Sequence, residues 1–132
     1  MEAIVASGPV IIKNGKLLVN KDTNDDFYKL PGGKLLPGES AEDACKRETK
    51  EEVGGEIEII KPLNTQILWK RPGTNENLVV VLMHYLAKLK NKGLRTGKGI
   101  AELKWIDVKD IKNDKYKVGP NIKFLIERGD IK

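Results

Sequence analysis

Three glutamates, Glu48, Glu51 and Glu52, stand at i, i+3 and i+4 of a segment with helical spacing. That spacing projects all three carboxylates from one side of a helix. Like charges so placed repel and cost helix stability unless a positive group joins them, and the simplest such group is a divalent metal. On a wheel at about 100° per residue, Ala41, Ala44, Cys45, Glu48, Glu51 and Glu52 fall within an arc of roughly 120°. Lys46, Arg47 and Lys50 lie outside it. The acids therefore share the side that carries the small apolar residues, where a helix normally meets its core. Carboxylates at that border are costly without a counterion. Carboxylate oxygens, a backbone carbonyl and waters form the set that hard Mg²⁺ prefers, and a phosphate-bearing substrate would complete it. Such a cation neutralises pyrophosphate and lowers the pKa of an attacking water. Glycines at 32 and 33 let the backbone approach closely.

The span Gly33 to Gly54 then resembles the Nudix box, G-x5-E-x7-R-E-U-x-E-E-x-G-U, with U a bulky aliphatic residue. Gly33, Glu39, Arg47, Glu48, Glu51, Glu52 and Gly54 fall on its fixed positions, with Leu30-Pro31-Gly32 as a similar lead-in. Thr49 and Gly55 depart from the two aliphatic positions. The resemblance implies a Nudix-type α/β/α sandwich with a mixed β-sheet and a catalytic loop-helix-loop. It implies that Glu48, Glu51 and Glu52 bind metal with the Gly33 carbonyl, Mg²⁺ being the expected cofactor and Mn²⁺ a substitute. It also implies that Arg47 orients Glu48 and pairs with Glu39 as a supporting group. Some members of the family carry a further base after the long strand. Here the loop 90–99 has no acid, so the expected base is Glu48 or Glu51, with Glu102 the nearest candidate outside the helix.

The implied reaction is hydrolysis of a phosphoanhydride in a nucleoside di- or triphosphate derivative, such as a nucleoside triphosphate or ADP-ribose. The alternatives are a catalytically idle nucleotide-sensing module and an RNA 5′-end pyrophosphohydrolase. Tyr28, Trp69, Arg71 and Glu102 are candidate substrate contacts, Tyr28 and Trp69 by stacking on a base. Pro72, 17 residues past Gly55, resembles a proline of ADP-ribose pyrophosphatases. Core packing is the competing expectation for Tyr28 and Trp105. His84, inside an apolar run, is expected to be a hydrogen-bonded core residue, and Cys45 a packing residue.

The elements that must position these residues follow from pattern. Asn14-Gly15 between apolar runs predicts a hairpin. Phe27 to Leu30 reads as a short strand before Pro31-Gly32-Gly33 breaks regular structure. Ser40 with Asp43 three residues on predicts a capped helix over 41–53, closed by Gly54 or Gly55. Strands are predicted at 56–60, 65–70, 77–89 and 101–107, with the apolar run at 78–83 read as a central strand covered on both faces. A short helix is predicted after Asp107 and another from Pro120, with Ile122, Leu125 and Ile126 inward.

Composition sets the frame. The chain has 132 residues, 39% hydrophobic and 33% charged, and a net charge of +5. It reads as a single domain over 1–132 that buries a core of its own. No apolar run approaches a membrane span and no signal-peptide pattern opens it, so a cytoplasmic protein without membrane partner is expected. One cysteine allows no internal disulfide. The basic excess lies after residue 87, from Lys88 and Lys90 through Arg95 to Lys117. It accompanies no nucleic-acid-binding motif, so the expected partners are a nucleotide-like small molecule and, as in many relatives, a second copy in a homodimer.

Overall fold

A computed structural model describes residues 2–71, 74–91, 93–97 and 99–132. The strands are β1 (Ala3–Val10), β2 (Ile12–Lys13), β3 (Lys16–Asp22), β4 (Gly33–Lys34), β5 (Ile57–Pro62), β6 (Gln66–Lys70), β7 (Asn77–Leu89) and β8 (Ile100–Asp107). The helices are α1 (Ala41–Val53), α2 (Val108–Lys112) and α3 (Pro120–Glu127).

Strand β7 is the spine of the larger sheet. It pairs parallel with β1 along its length. Its other edge is shared by β6 over the first half and β5 over the second. β4 closes the far side against β1, so the sheet is mixed. The second sheet, β2-β3-β8, is antiparallel. Its hairpin turns at Asn14 and Gly15, whose φ values of 53° and 76° suit a tight two-residue loop.

The larger sheet is the mixed sheet expected, and the second sheet adds to it. Val10-Ile11-Ile12 and Leu17-Leu18-Val19 are apolar at every position, so both faces of these strands must be covered. Alternation sends Val10, Leu17 and Val19 to one core with Leu30, Ile106, Ile122 and Leu125. Ile11 and Leu18 go to another with Cys45, Val53, Tyr85 and Ala87. Helix α1 serves the second core and α3 the first, which makes the α/β/α layering.

Phe27 to Leu30 forms no strand. Lys29 bridges to Asn20 and Tyr28 to Val118, each as an isolated pair. β7 is central by pairing, but Val79, Val81, Leu82 and Met83 stay half-buried, so only part of the run is covered on both faces. α1 has the predicted limits. The Asp43 N–H donates to Ser40 Oγ at 3.1 Å, and Gly54, at φ 68°, ends the helix with its N–H on the Lys50 carbonyl. Among the described residues no helix is long and apolar enough to cross a membrane.

Candidate functional site

Two glycines bring the loop before α1 against the sheet. A Cβ on Gly8 of β1 would lie 1.9 Å from the Pro31 carbonyl oxygen, and one on Gly32 would lie 2.6 Å from the Ser7 carbonyl. Gly32 also has φ 147°, which disfavours any side chain. The Ser7 hydroxyl donates to the Ala41 carbonyl at 2.7 Å and ties the start of α1 to the same strand. Gly33 is thereby pressed onto the helix: a Cβ there would meet the Glu48 carboxylate at 2.6 Å.

Buried Ala44, Cys45, Thr49 and Val53 seat α1 on its core. Thr49, where the box has an aliphatic residue, satisfies its hydroxyl by donating to the Cys45 carbonyl at 2.6 Å. Burial pushes the Cys45 thiol up to about 12, leaving it a packing group.

The three glutamates have different fates. Arg47 donates through Nε and Nη2 to the two oxygens of Glu39, at 2.8 and 2.9 Å. Its Nη1 reaches Glu48 at 2.8 Å and Glu51 at 3.2 Å, and Nη2 also reaches the Lys34 carbonyl. These bonds hold the Glu39 carboxyl down at about 2, the Arg47 contact being the main cause and the Leu36 N–H the next. They raise Arg47 above its ordinary value. Glu51 is the outermost of the set, with 58% of its side chain exposed against 14% for Glu48.

Among the described residues no cation pairs with Glu52. Its Oε2 accepts from Asn20 Nδ2 at 2.9 Å and from the Gly32 N–H at 3.3 Å. Burial nonetheless pushes its carboxyl up to about 7, against the lowering by those donors and with the charge of Glu48 adding. Asn20 is itself fully buried, and its Oδ1 has no hydrogen-bond partner among the described residues. Among the described residues no three His, Cys, Asp or Glu side chains converge to hold a metal, because Glu51 is turned to Arg47. Glu48 and Glu52, two acids at a buried border beside Gly33, fit a hard cation, and Glu51 would join on leaving Arg47.

A cavity of about 240 Å³ opens beside Gly32 and Gly33. Phe27, Leu68, Leu82 and Pro120 make apolar walls, while His84 and Asn121 offer polar groups. Burial pushes the His84 imidazole down to about 4, so it is neutral at pH 7. Its Nε2 lies 3.5 Å from Asn121 Nδ2. Sequence reading missed Asn20, Phe27 and Asn121. The legible signals were slight: Asn20 is an amide within an apolar strand, and Asn121 follows the proline that starts α3.

The structure does not bring the other candidates to this cavity. Tyr28 is 8% exposed in the core, and its hydroxyl donates to Glu102 at 2.8 Å, which with burial pushes its pKa up to about 12. β3–β8 register pairs Glu102 with Lys21 and Leu103 with Asn20, so Glu102 lies on the face opposite Asn20 and its partner Glu52. Trp69 follows Leu68 but is 65% exposed and does not line the cavity. Arg71 pairs with Glu76 at 2.9 Å. Pro72 lies outside the described residues.

A family model described as the NUDIX domain matches residues 3–126. The m7GpppN-mRNA hydrolase of Saccharomyces cerevisiae (strain ATCC 204508 / S288c) is 27% identical over 111 residues, covering 84% of this chain but 11% of that protein. The chain thus spans about a tenth of the length of that relative. Nucleoside triphosphatase NudI of Enterobacter sp. (strain 638) is 27% identical over 109 residues, 74% of this chain and 77% of that one. Among solved structures, a MutT NUDIX hydrolase from Burkholderia pseudomallei superposes with a TM-score of 0.78 at 22% identity, covering 96% of this chain and 98% of that one. This last likeness is one of fold.

Proposed function

The chain belongs to the Nudix domain family, and on that footing we propose that it is a divalent-metal-dependent pyrophosphohydrolase of nucleoside triphosphates or related nucleoside diphosphate derivatives. The observation that carries this reading is Glu52: a buried carboxyl pushed up to about 7, next to Glu48 and bonded to the N–H of Gly32, which itself lines a base-sized cavity.

Glu48, Glu52 and the Gly33 carbonyl would hold Mg²⁺ or Mn²⁺, with Glu51 released from Arg47 to complete the set. The cation, when bound, neutralises the pyrophosphate and acidifies water. Glu48 or Glu51 would take the proton of a water attacking phosphorus. The P–O–P bond breaks and two phosphate-bearing products leave. Arg47 acts from behind, fixing Glu48 against Gly33 through the Glu39 pair.

The cavity takes the base. Its volume suits a base rather than a whole nucleotide, Phe27 gives an apolar face, and Asn121 offers both a donor and an acceptor. A triphosphate is favoured over ADP-ribose by the likeness to the triphosphatase NudI over most of both chains. The same proposal places the enzyme in the cytoplasm, as one Nudix unit over 1–132. It expects a homodimer that covers exposed Ile67 and Trp69.

The test is a Mg²⁺ panel of nucleoside triphosphates, ADP-ribose, dinucleotides and capped RNA, with and without chelator. Triphosphate hydrolysis abolished by chelator and restored by Mg²⁺ or Mn²⁺ is expected. Inactivity across the panel would instead favour a sensing module.

A further inference from the structure

A second groove, of about 660 Å³, lies at the other end of β1 and β7 and shares no lining residue with the cavity beside Gly33. Its walls include Ile11, Ile60, Leu86 and Leu94, together with Trp105. Its rim carries Lys13, Lys88 and Lys90, all exposed. Among the described residues no acid lines it, and none of these lysines forms an ion pair, although Glu58 stands opposite Lys88 in the β5–β7 register. Trp105 and apolar side chains bordered by three lysines are complementary to a ligand with a flat apolar body and a phosphate. The volume is within the range of small-molecule sites and admits a whole nucleotide.

The groove is also joined to the glutamate helix. Asn91 and Leu94 line it. The Asn91 side chain accepts from the Glu56 N–H at 2.7 Å and donates to the Gly54 carbonyl at 3.2 Å. The N–H groups of Arg95 and Gly97 then donate to the Val53 and Glu52 carbonyls, at 2.9 and 2.8 Å. Gly97 packs so close that a Cβ would lie 1.9 Å from the Glu51 carbonyl oxygen. Asn91, which lines the groove, and Arg95 and Gly97, which follow Leu94, therefore hold the carbonyls at the end of α1, including that of Glu52.

We propose that this groove is a second binding site, for a nucleoside monophosphate, whose occupancy is transmitted through Asn91, Arg95 and Gly97 to the C-terminal turn of α1. The site does not depend on the hydrolytic reading of the glutamate site.

The test uses the full chain carrying Trp69→Phe, which leaves Trp105 as its single tryptophan, in chelator. AMP, adenosine and inorganic phosphate are titrated against Trp105 fluorescence. Saturable quenching by AMP is expected, at least tenfold tighter than by adenosine or phosphate alone. The exposed double substitution Lys88→Gln/Lys90→Gln should weaken it at least tenfold, while Glu52→Gln leaves it within twofold. Equal affinity for adenosine would remove the lysines from the site, and equal affinity for phosphate would remove the ring; either overturns the proposal. So does binding of a single-stranded oligonucleotide with none of AMP. Hydrogen exchange at the Arg95 and Gly97 amides should slow several-fold on saturation. Unchanged exchange with AMP bound would overturn the link to α1.

Discussion

The two halves of the acidic surface on α1 solve the same electrostatic problem in opposite ways. Around Arg47, three carboxylates from Glu39, Glu48 and Glu51 already have their cation, and Glu39 is held down at about 2. Around Glu52 the described residues supply amide donors alone, and its carboxyl is driven up to about 7. One half is a finished structural network, and the other is a charge deficit. Arg47 bonds to Glu39, Glu48 and Glu51 but makes no bond to Glu52. That difference separates Arg47 and Glu39, which hold Glu48 in place, from Glu52, whose partners are neutral amides.

The largest expected effect breaks the deficit itself. Glu52→Gln keeps size and hydrogen-bonding capacity but removes the charge that a cation would meet. Steady-state hydrolysis should fall on the order of 10³-fold, as for loss of one strong electrostatic contact in an active site. Retained wild-type turnover would remove Glu52 from the metal site.

Next comes the pH dependence of the chelated protein. A carboxyl at 4.5 when unfolded and about 7 when folded binds more protons in the native state between those values. Its contribution is therefore fully present below pH 4.5 and is lost as pH rises through 7, on the order of 3 kcal/mol. His84, pushed down to about 4, acts with the opposite sign as pH falls below 6.5. The difference in melting temperature between wild type and Glu52→Gln isolates the Glu52 part. The variant should gain on wild type from pH 5 to 8 in chelator, and Mg²⁺ should close the gap at the alkaline end. A flat difference would return Glu52 to an ordinary carboxylate.

Breaking the finished half should cost less. Arg47→Ala frees Glu39, Glu48 and Glu51 at once, and turnover should drop about 10- to 100-fold, the usual range for groups that orient ligands. Lysine should not rescue it, because a single ammonium cannot span Glu39, Glu48 and the Lys34 carbonyl as the planar guanidinium does. An NMR titration of Glu39 should show its carboxyl rising from about 2 towards the ordinary range.

What was legible in the sequence was local. Ser40, Asp43 and Gly54 set the limits of α1, Asn14-Gly15 set the hairpin, and the box spacing put Glu39, Arg47 and Glu48 within reach of one another. The wheel placed Arg47 outside the acidic arc, but a long side chain reaches back over the turn, which a wheel of Cα directions does not show. What was not legible depended on distant segments. The environment of Glu52 is made by Asn20, 32 residues away, and by Gly32 docked on Gly8. The cavity takes residues from β1, β6, β7 and the start of α3. The split into two sheets was hidden because Val10-Ile11-Ile12 and Leu17-Leu18-Val19 carry no polar alternation to mark a face.

Asn20 gives the finest probe of the comparison, since it is the only side chain hydrogen-bonded to Glu52 among the described residues. Asn20→Ala leaves the backbone pairing of residue 20 with Lys29 in place but strips one donor from Oε2. The remaining Gly32 N–H is the longer contact, so the Glu52 carboxyl should climb further. Turnover at pH 7 should fall about tenfold, within the range for a partner that orients a ligand. The loss should shrink as pH rises towards 9, because hydroxide restores the carboxylate that the missing donor no longer stabilises. A purely structural defect would depress turnover equally at both pH values, and that result would separate Asn20 from the charge of Glu52.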